Sequence, residues 1–83
     1  MFIKCYYGRN NVLSEKTGII NTEQIIRVYL DIDKNDQYII SPIEKNGKKY
    51  YLLETAHTYN TYNEYLSEDE VRFLLNQGSG KQG

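Results

Sequence analysis

In 83 residues the chain has one cysteine, one histidine, one proline, one methionine and no tryptophan. A single cysteine, Cys5, excludes an internal disulfide and a cysteine-rich zinc site, and it fits a reducing compartment. With His57 as the sole histidine, a zinc centre lacks the ligands it needs. The longest apolar runs are a few residues, far short of the roughly 20 that cross a bilayer. Residues 1–5 show neither an apolar leader core nor a cleavage site. The sequence therefore reads as a cytoplasmic protein without a membrane span or secretory leader.

An excess of either charge is also missing. Ten Lys and Arg stand against eleven Asp and Glu, a net charge of -1. That is the wrong sign for a protein that neutralises many phosphates along its whole surface. With 40% hydrophobic and 25% charged residues the composition is that of a folded globular domain. A domain this small buries only about 60–65% of its unfolded surface, which leaves little room for a deep active site. Ile, Asn, Lys and Tyr are abundant, the bias of AT-rich coding in low-GC bacteria and their phages.

What the chain does have is a patterned centre. Residues 25–55 predict three consecutive antiparallel strands. In the first, Ile26, Val28, Leu30 and Ile32 alternate with Arg27, Tyr29, Asp31 and Asp33, the period of a sheet with one buried side. Asp33 to Asp36 predicts the first turn, and a second strand follows over residues 37–43, with Pro42 at a sheet edge or bulge. Asn46-Gly47 supplies the two positive φ angles of a type I′ turn. This turn places Lys45 opposite Lys48, Glu44 opposite Lys49 and Ile43 opposite Tyr50, and the partner strand is residues 48–55.

Around this centre, residues 1–7 predict a first strand ended by Gly8, residues 8–16 a polar loop with room for a two-residue strand at Val12-Leu13, and residues 18–20 a second short strand. Asn21 to Gln24 predicts a turn made through the Asn side chain. Residues 56–66 lack a clear period and predict an irregular loop or loose helical turns. Ser67 and Glu70 form a capping box that opens a helix over residues 67–77, with Leu66 stapled onto Val71 and Gly78 as its stop. Val71, Leu74 and Leu75, with Phe73 at the flank, form the stripe that docks. The fold class is α+β, mainly β: a small antiparallel sheet of four to five strands with one C-terminal α-helix packed on it. Residues 1–77 form the domain and residues 78–83 a flexible tail.

Chemistry is thinly represented. Cys5 and His57 have no spacing that brings them together as nucleophile and base, and no third group completes them. Asp31, Asp33 and Asn35 open like a calcium loop, but Asp36 stands where glycine is needed and Pro42 where a bidentate Glu is needed. The Gly-Ser-Gly-Lys at 78–81 closes a helix where a phosphate loop would open one. No catalytic residue, metal ligand or cofactor site is assigned, and the protein is expected not to be an enzyme.

The nine tyrosines remain. Tyr6, Tyr38 and Tyr51 suit half-buried strand positions. Tyr59, Tyr62 and Tyr65 lie in the segment without a core face and, with Arg27 and Tyr29, are the expected partner-binding residues, because Tyr and Arg are enriched at interface hot spots. The leading expectation is a small protein-binding module, in its sharper form an inhibitor from a phage or mobile element that blocks a host enzyme or defence complex, such as an anti-CRISPR. The alternative is a nucleic-acid-binding regulator in which Tyr29 and Tyr50 stack bases while Arg27, Lys48 and Lys49 track phosphates. Short strands, a hairpin and a capped C-terminal helix, over roughly residues 19–75, form an order of elements that resembles small bacterial regulators of the LytTR and flagellar FlbD type. That resemblance implies nucleic-acid binding and assigns no site residue. A third alternative is a small-molecule binder formed by a homodimer around the tyrosine-rich segment.

Overall fold

The computed structural model describes residues 1–30, 41–56 and 62–80. The strands are β1 (Phe2–Arg9), β2 (Val12–Asn21), β3 (Ile25–Val28), β4 (Ile43–Lys45), β5 (Lys48–Thr55) and β6 (Asn63–Ser67), followed by the helix α1 (Glu68–Gly80). They form one antiparallel sheet in the order β2-β1-β6-β5-β3, with β4 also paired to β5, and α1 packs on one face of it. This is the expected fold class.

The N-terminal hairpin is longer than the sequence reading allowed. Gly8 does not end the first strand, and most of residues 8–16 belongs to the hairpin and not to a loop. Asn10 and Asn11 both have positive φ, 53° and 63°, so they make the tight turn between β1 and β2. Asparagine tolerates this left-handed backbone better than other side chains do, which is why Asn-Asn serves where Asn-Gly is more familiar. The ladder carries a bulge between Tyr6 and Gly8, which takes up the extra residues of β2. After β2, Asn21 Oδ1 accepts a hydrogen bond from the Glu23 N–H at 3.2 Å and opens a single 3₁₀ turn, Thr22–Gln24, the turn expected from the Asn side chain.

The Asn46-Gly47 turn has the expected geometry, with φ of 53° and 77°. Its register pairs Ile43 with Tyr50, Glu44 with Lys49 and Lys45 with Lys48, as the turn chemistry required. The order of strands around it differs from a simple meander. β3 pairs with the C-terminal half of β5, Val28 opposite Leu53, while β4 pairs with its N-terminal half. β6 takes the other edge, with Leu52 opposite Tyr65 and Tyr50 opposite Ser67. β3 and β4 therefore lie one after the other along a single edge of β5, not side by side. The turn expected at residues 33–36 lies outside the described residues.

A second bulge alters the faces of β3. The ladder slips between Ile25 and Arg27, so Ile25 and Val28 both pack on the core while Ile26 is exposed. The strict alternation of Ile26, Val28 and Leu30 on one face is thus corrected, since one inserted residue turns every later side chain over. Residues 56–66 are likewise corrected: the final part is strand β6, formed because Tyr65 and Leu66 each find a buried place on opposite faces of a central strand.

The main core lies between sheet and helix and comprises Ile3, Cys5, Ile20, Leu53, Leu66 and Val71, with Tyr7, Ile25, Val28, Tyr51 and Leu74 at its margin. Ser67 Oγ accepts from the Glu70 N–H (3.4 Å) and donates to Glu70 Oε1 (2.6 Å), which caps α1 at the expected residues. Leu66 and Val71, the expected staple, are both buried. Of the expected stripe, Val71 and Leu74 dock, whereas Leu75 and Phe73 are exposed. The helix continues through Gly78 to Gly80; glycine permits a stop without enforcing one, and no proline follows to end the helix.

Candidate functional site

Opposed residues in an antiparallel ladder share a face, so the registers sort the side chains into two sets. Ile3, Cys5 and Tyr7 of β1 turn toward the helix, with Tyr51 and Leu53 of β5 and Leu66 of β6. Phe2, Lys4, Tyr6 and Gly8 turn away from it, as do Ile19, opposite Lys4, and Tyr50 and Leu52 of β5. Arg27 joins this second set through its pairing with Glu54, and Lys45 and Lys48 join it because they lie two residues along the strand from Ile43 and Tyr50.

The centre of this helix-free face is an aromatic pair. β1 and β5 flank β6, and the rings of Tyr6 and Tyr50 meet above it edge to face, with centroids 5.0 Å apart and planes at 68°. The Lys4 ammonium stands over the Tyr6 ring at 5.2 Å. One end of the face is closed by a small second core. A Cβ on Gly8 would come within 2.9 Å of Tyr65 Cε1 and 3.2 Å of Ile43 Cδ1, so both side chains lie across the bare glycine backbone. Since Ile43 lies on the same face but beyond β5, with two strands between it and β1, the sheet must curl to bring them together.

Arg27, on the edge strand β3, and Tyr29, just past its end, are together, as expected of residues on one polar face. The Arg27 guanidinium is 5.6 Å from the Tyr29 ring, its Nε is 4.0 Å from Glu54 Oε1, and the Tyr29 hydroxyl donates to the same oxygen at 3.2 Å. The pair is exposed and long, so it orients the side chains more than it stabilises the fold. Tyr62 is elsewhere: half-buried, with the Lys16 ammonium 5.9 Å from its ring, and β2 and β3 lie at opposite ends of the strand order. Tyr59 lies outside the described residues. Tyr65, expected at the surface, is only 4% exposed and belongs to the second core; burial pushes its phenol pKa up.

The sequence reading missed Lys4 and Tyr6, whose place on the free face was readable from the alternation of Phe2, Lys4 and Tyr6 with Ile3, Cys5 and Tyr7. It also grouped Lys48 with Lys49, which the register puts on opposite faces. Charge is the feature that total composition concealed. Lys4, Lys45 and Lys48 are exposed and make no ion pair among the described residues. Lys45 and Lys48 stand directly opposite each other, an arrangement that costs stability. Glu54, opposite Arg27 in the ladder, is an acid on the same face. Acids gather at the helix, where Glu68, Asp69 and Glu70 fill the first turn.

On the helix side, Cys5 is 0% exposed. Burial pushes its thiol pKa up, and a hydrogen bond with Tyr7 offsets part of that rise. A thiol in this state is a packed core group, far from the thiolate a nucleophile needs. His57 and the acidic residues Asp31 and Asp33 lie outside the described residues; among those described, no three His, Cys, Asp or Glu converge as metal ligands. Comparisons with protein-family models, with curated proteins and with solved structures found no match to this chain.

Proposed function

We propose that the protein is a non-enzymatic binding module of the cytoplasm, that its working surface is the helix-free face of the sheet, and that its ligand is a nucleic acid. The observation that carries this reading is the grouping of unpaired Lys4, Lys45 and Lys48 around the Tyr6–Tyr50 pair. Lysine is depleted at the centres of protein interfaces and serves well as a point charge for phosphate, while aromatic rings on a sheet offer stacking platforms for bases. A net charge of -1 opposed this reading only while the charges were taken as evenly spread. The non-enzymatic part is supported by the depth of Cys5 and the pKa shift of its thiol.

A protein partner is the second reading, in the form of an inhibitor of phage or mobile-element type. Phe2 and Ile19, 63% and 70% exposed, favour it, because large apolar side chains beside aromatic ones suit a protein surface. The test is affinity capture on the tagged protein, with and without nuclease. The nucleic-acid reading expects co-purifying material that absorbs at 260 nm, is removed by nuclease and is lost in Lys45→Glu/Lys48→Glu. A single protein retained after nuclease and released by Phe2→Ser supports the second reading instead.

A further inference from the structure

We infer that the helix-free face takes single-stranded nucleic acid in preference to a duplex, an inference that rests on the reading of this face as a nucleic-acid surface. A tyrosine ring contributes to binding when a base can lie on it, and bases lie open only in a single strand; within a duplex their faces are already stacked and only their edges and the phosphates are presented. Here the rings of Tyr6 and Tyr50 stand on the sheet itself, with the Lys4 ammonium over the Tyr6 ring, and with Lys48 two residues along β5 from Tyr50 and opposite Lys45. Two rings and three ammonium groups on one face suit a strand whose bases turn down onto the sheet while its phosphates pass the ammonium groups.

The helix does not offer the usual alternative. A recognition helix enters the major groove by its N-terminal residues, and α1 begins with Glu68, Asp69 and Glu70, which repel the phosphates that line the groove. α1 is also held against the opposite face through Val71 and Leu74. Lys4 caps the Tyr6 ring from an exposed, unpaired position, so an arriving base displaces it toward a phosphate and no buried contact is lost. Stacking of this kind tolerates any base, so the binding is weakly dependent on sequence.

The experiment is fluorescence anisotropy on the full chain with labelled oligothymidylate, oligouridylate and a duplex of equal length, each about a dozen nucleotides, across a salt series. Single strands should bind at least about tenfold more tightly than the duplex, with log K falling against log salt at a slope of about -2 to -3, as for three or four neutralised phosphates. Tyr50→Leu should weaken single-strand binding about tenfold or more. Lys4→Gln/Lys48→Gln, at exposed positions that do not hold the fold, should flatten the slope by about one and keeps the test decisive should the tyrosine variant fail to fold. Equal or tighter binding of the duplex overturns the inference and leaves nucleic-acid binding standing. Unchanged single-strand affinity in a folded Tyr50→Leu overturns the stacking geometry, and failure of both strand forms to bind the folded protein overturns the inference together with the function proposed above.

Discussion

The two faces of the sheet are made by the same strands from alternate residues, yet they are used differently. On the helix side the apolar side chains of the central strands are buried or half-buried: Cys5 and Leu66 are 0% exposed, Ile3 and Leu53 nearly as little, and Tyr7 and Tyr51 pack at the margin. On the other side the same strands present Phe2, Lys4 and Tyr6, and burial is confined to Gly8, Ile43, Tyr65 and Ser67. Folding accounts for the first set. It does not account for like charges facing each other at Lys45 and Lys48, or for a half-buried tyrosine pair ringed by unpaired amines. The difference teaches that in a small domain one helix suffices to anchor a sheet, and that the face it leaves uncovered keeps aromatic and basic side chains that packing does not require.

Several substitutions would break this contrast if it is false. The largest effect belongs to Leu66→Ala, which removes a fully buried side chain between sheet and helix and should cost about 2–5 kcal/mol in urea denaturation. For a domain of this size that is much of the total stability. Gly8→Ala comes next: its Cβ would meet Tyr65 and the Val12 carbonyl at about contact distance or less, and overpacking of this kind costs about 1–3 kcal/mol. Gly47→Val should cost about 1–3 kcal/mol for a different reason, since the position has open space but a φ of 77° that a β-branched residue resists. A Leu66→Ala protein as stable as the parent would mean that the helix side is not the core.

A pH series sharpens the comparison without mutation. Cys5 and Tyr7 on the helix side, and Tyr65 in the second core, have pKa values raised by burial above those of the unfolded chain. A neutral group with a raised folded pKa contributes stability that is fully present below its unfolded pKa and is lost as pH climbs toward the folded value. Stability should therefore be flat across neutral pH and fall above about pH 8.5. Cys5→Ala should reduce that slope. The smallest effect is expected at Lys45→Gln, which should leave stability within about half a kcal/mol of the parent, on the positive side if relief of Lys48 dominates. The same variant should bind oligonucleotide more weakly, a separation of stability from binding that no helix-side substitution should give.

How much of this was legible in the sequence depended on whether a local rule decided the structure. Asn46-Gly47 and Ser67 with Glu70 were read correctly, register and cap included, because turn chemistry and capping act within a few residues. The faces of β3 were not, because the bulge at Ile26 is set by pairing with Glu54 and Thr55, far along the chain. β6 was missed for the same reason: Asn and Thr before Tyr65 gave no period, and the strand exists because β1 and β5 leave a gap that Tyr65 and Leu66 fill from both sides. Of the expected site, Arg27 and Tyr29 came together, Tyr62 sits apart with Lys16, and Tyr65 went into the second core. A count of charges could not show that Lys4, Lys45 and Lys48 would share the helix-free face.

The proposed division between a face that folds and a face that binds is tested most directly by mapping amide chemical-shift changes on the labelled protein during titration with oligothymidylate. The changes should concentrate at Lys4, Tyr6, Arg27, Tyr29, Lys45, Lys48 and Tyr50, with α1 and the residues of its interface unmoved. Changes centred on α1, or a spectrum that does not respond at all, would contradict that division.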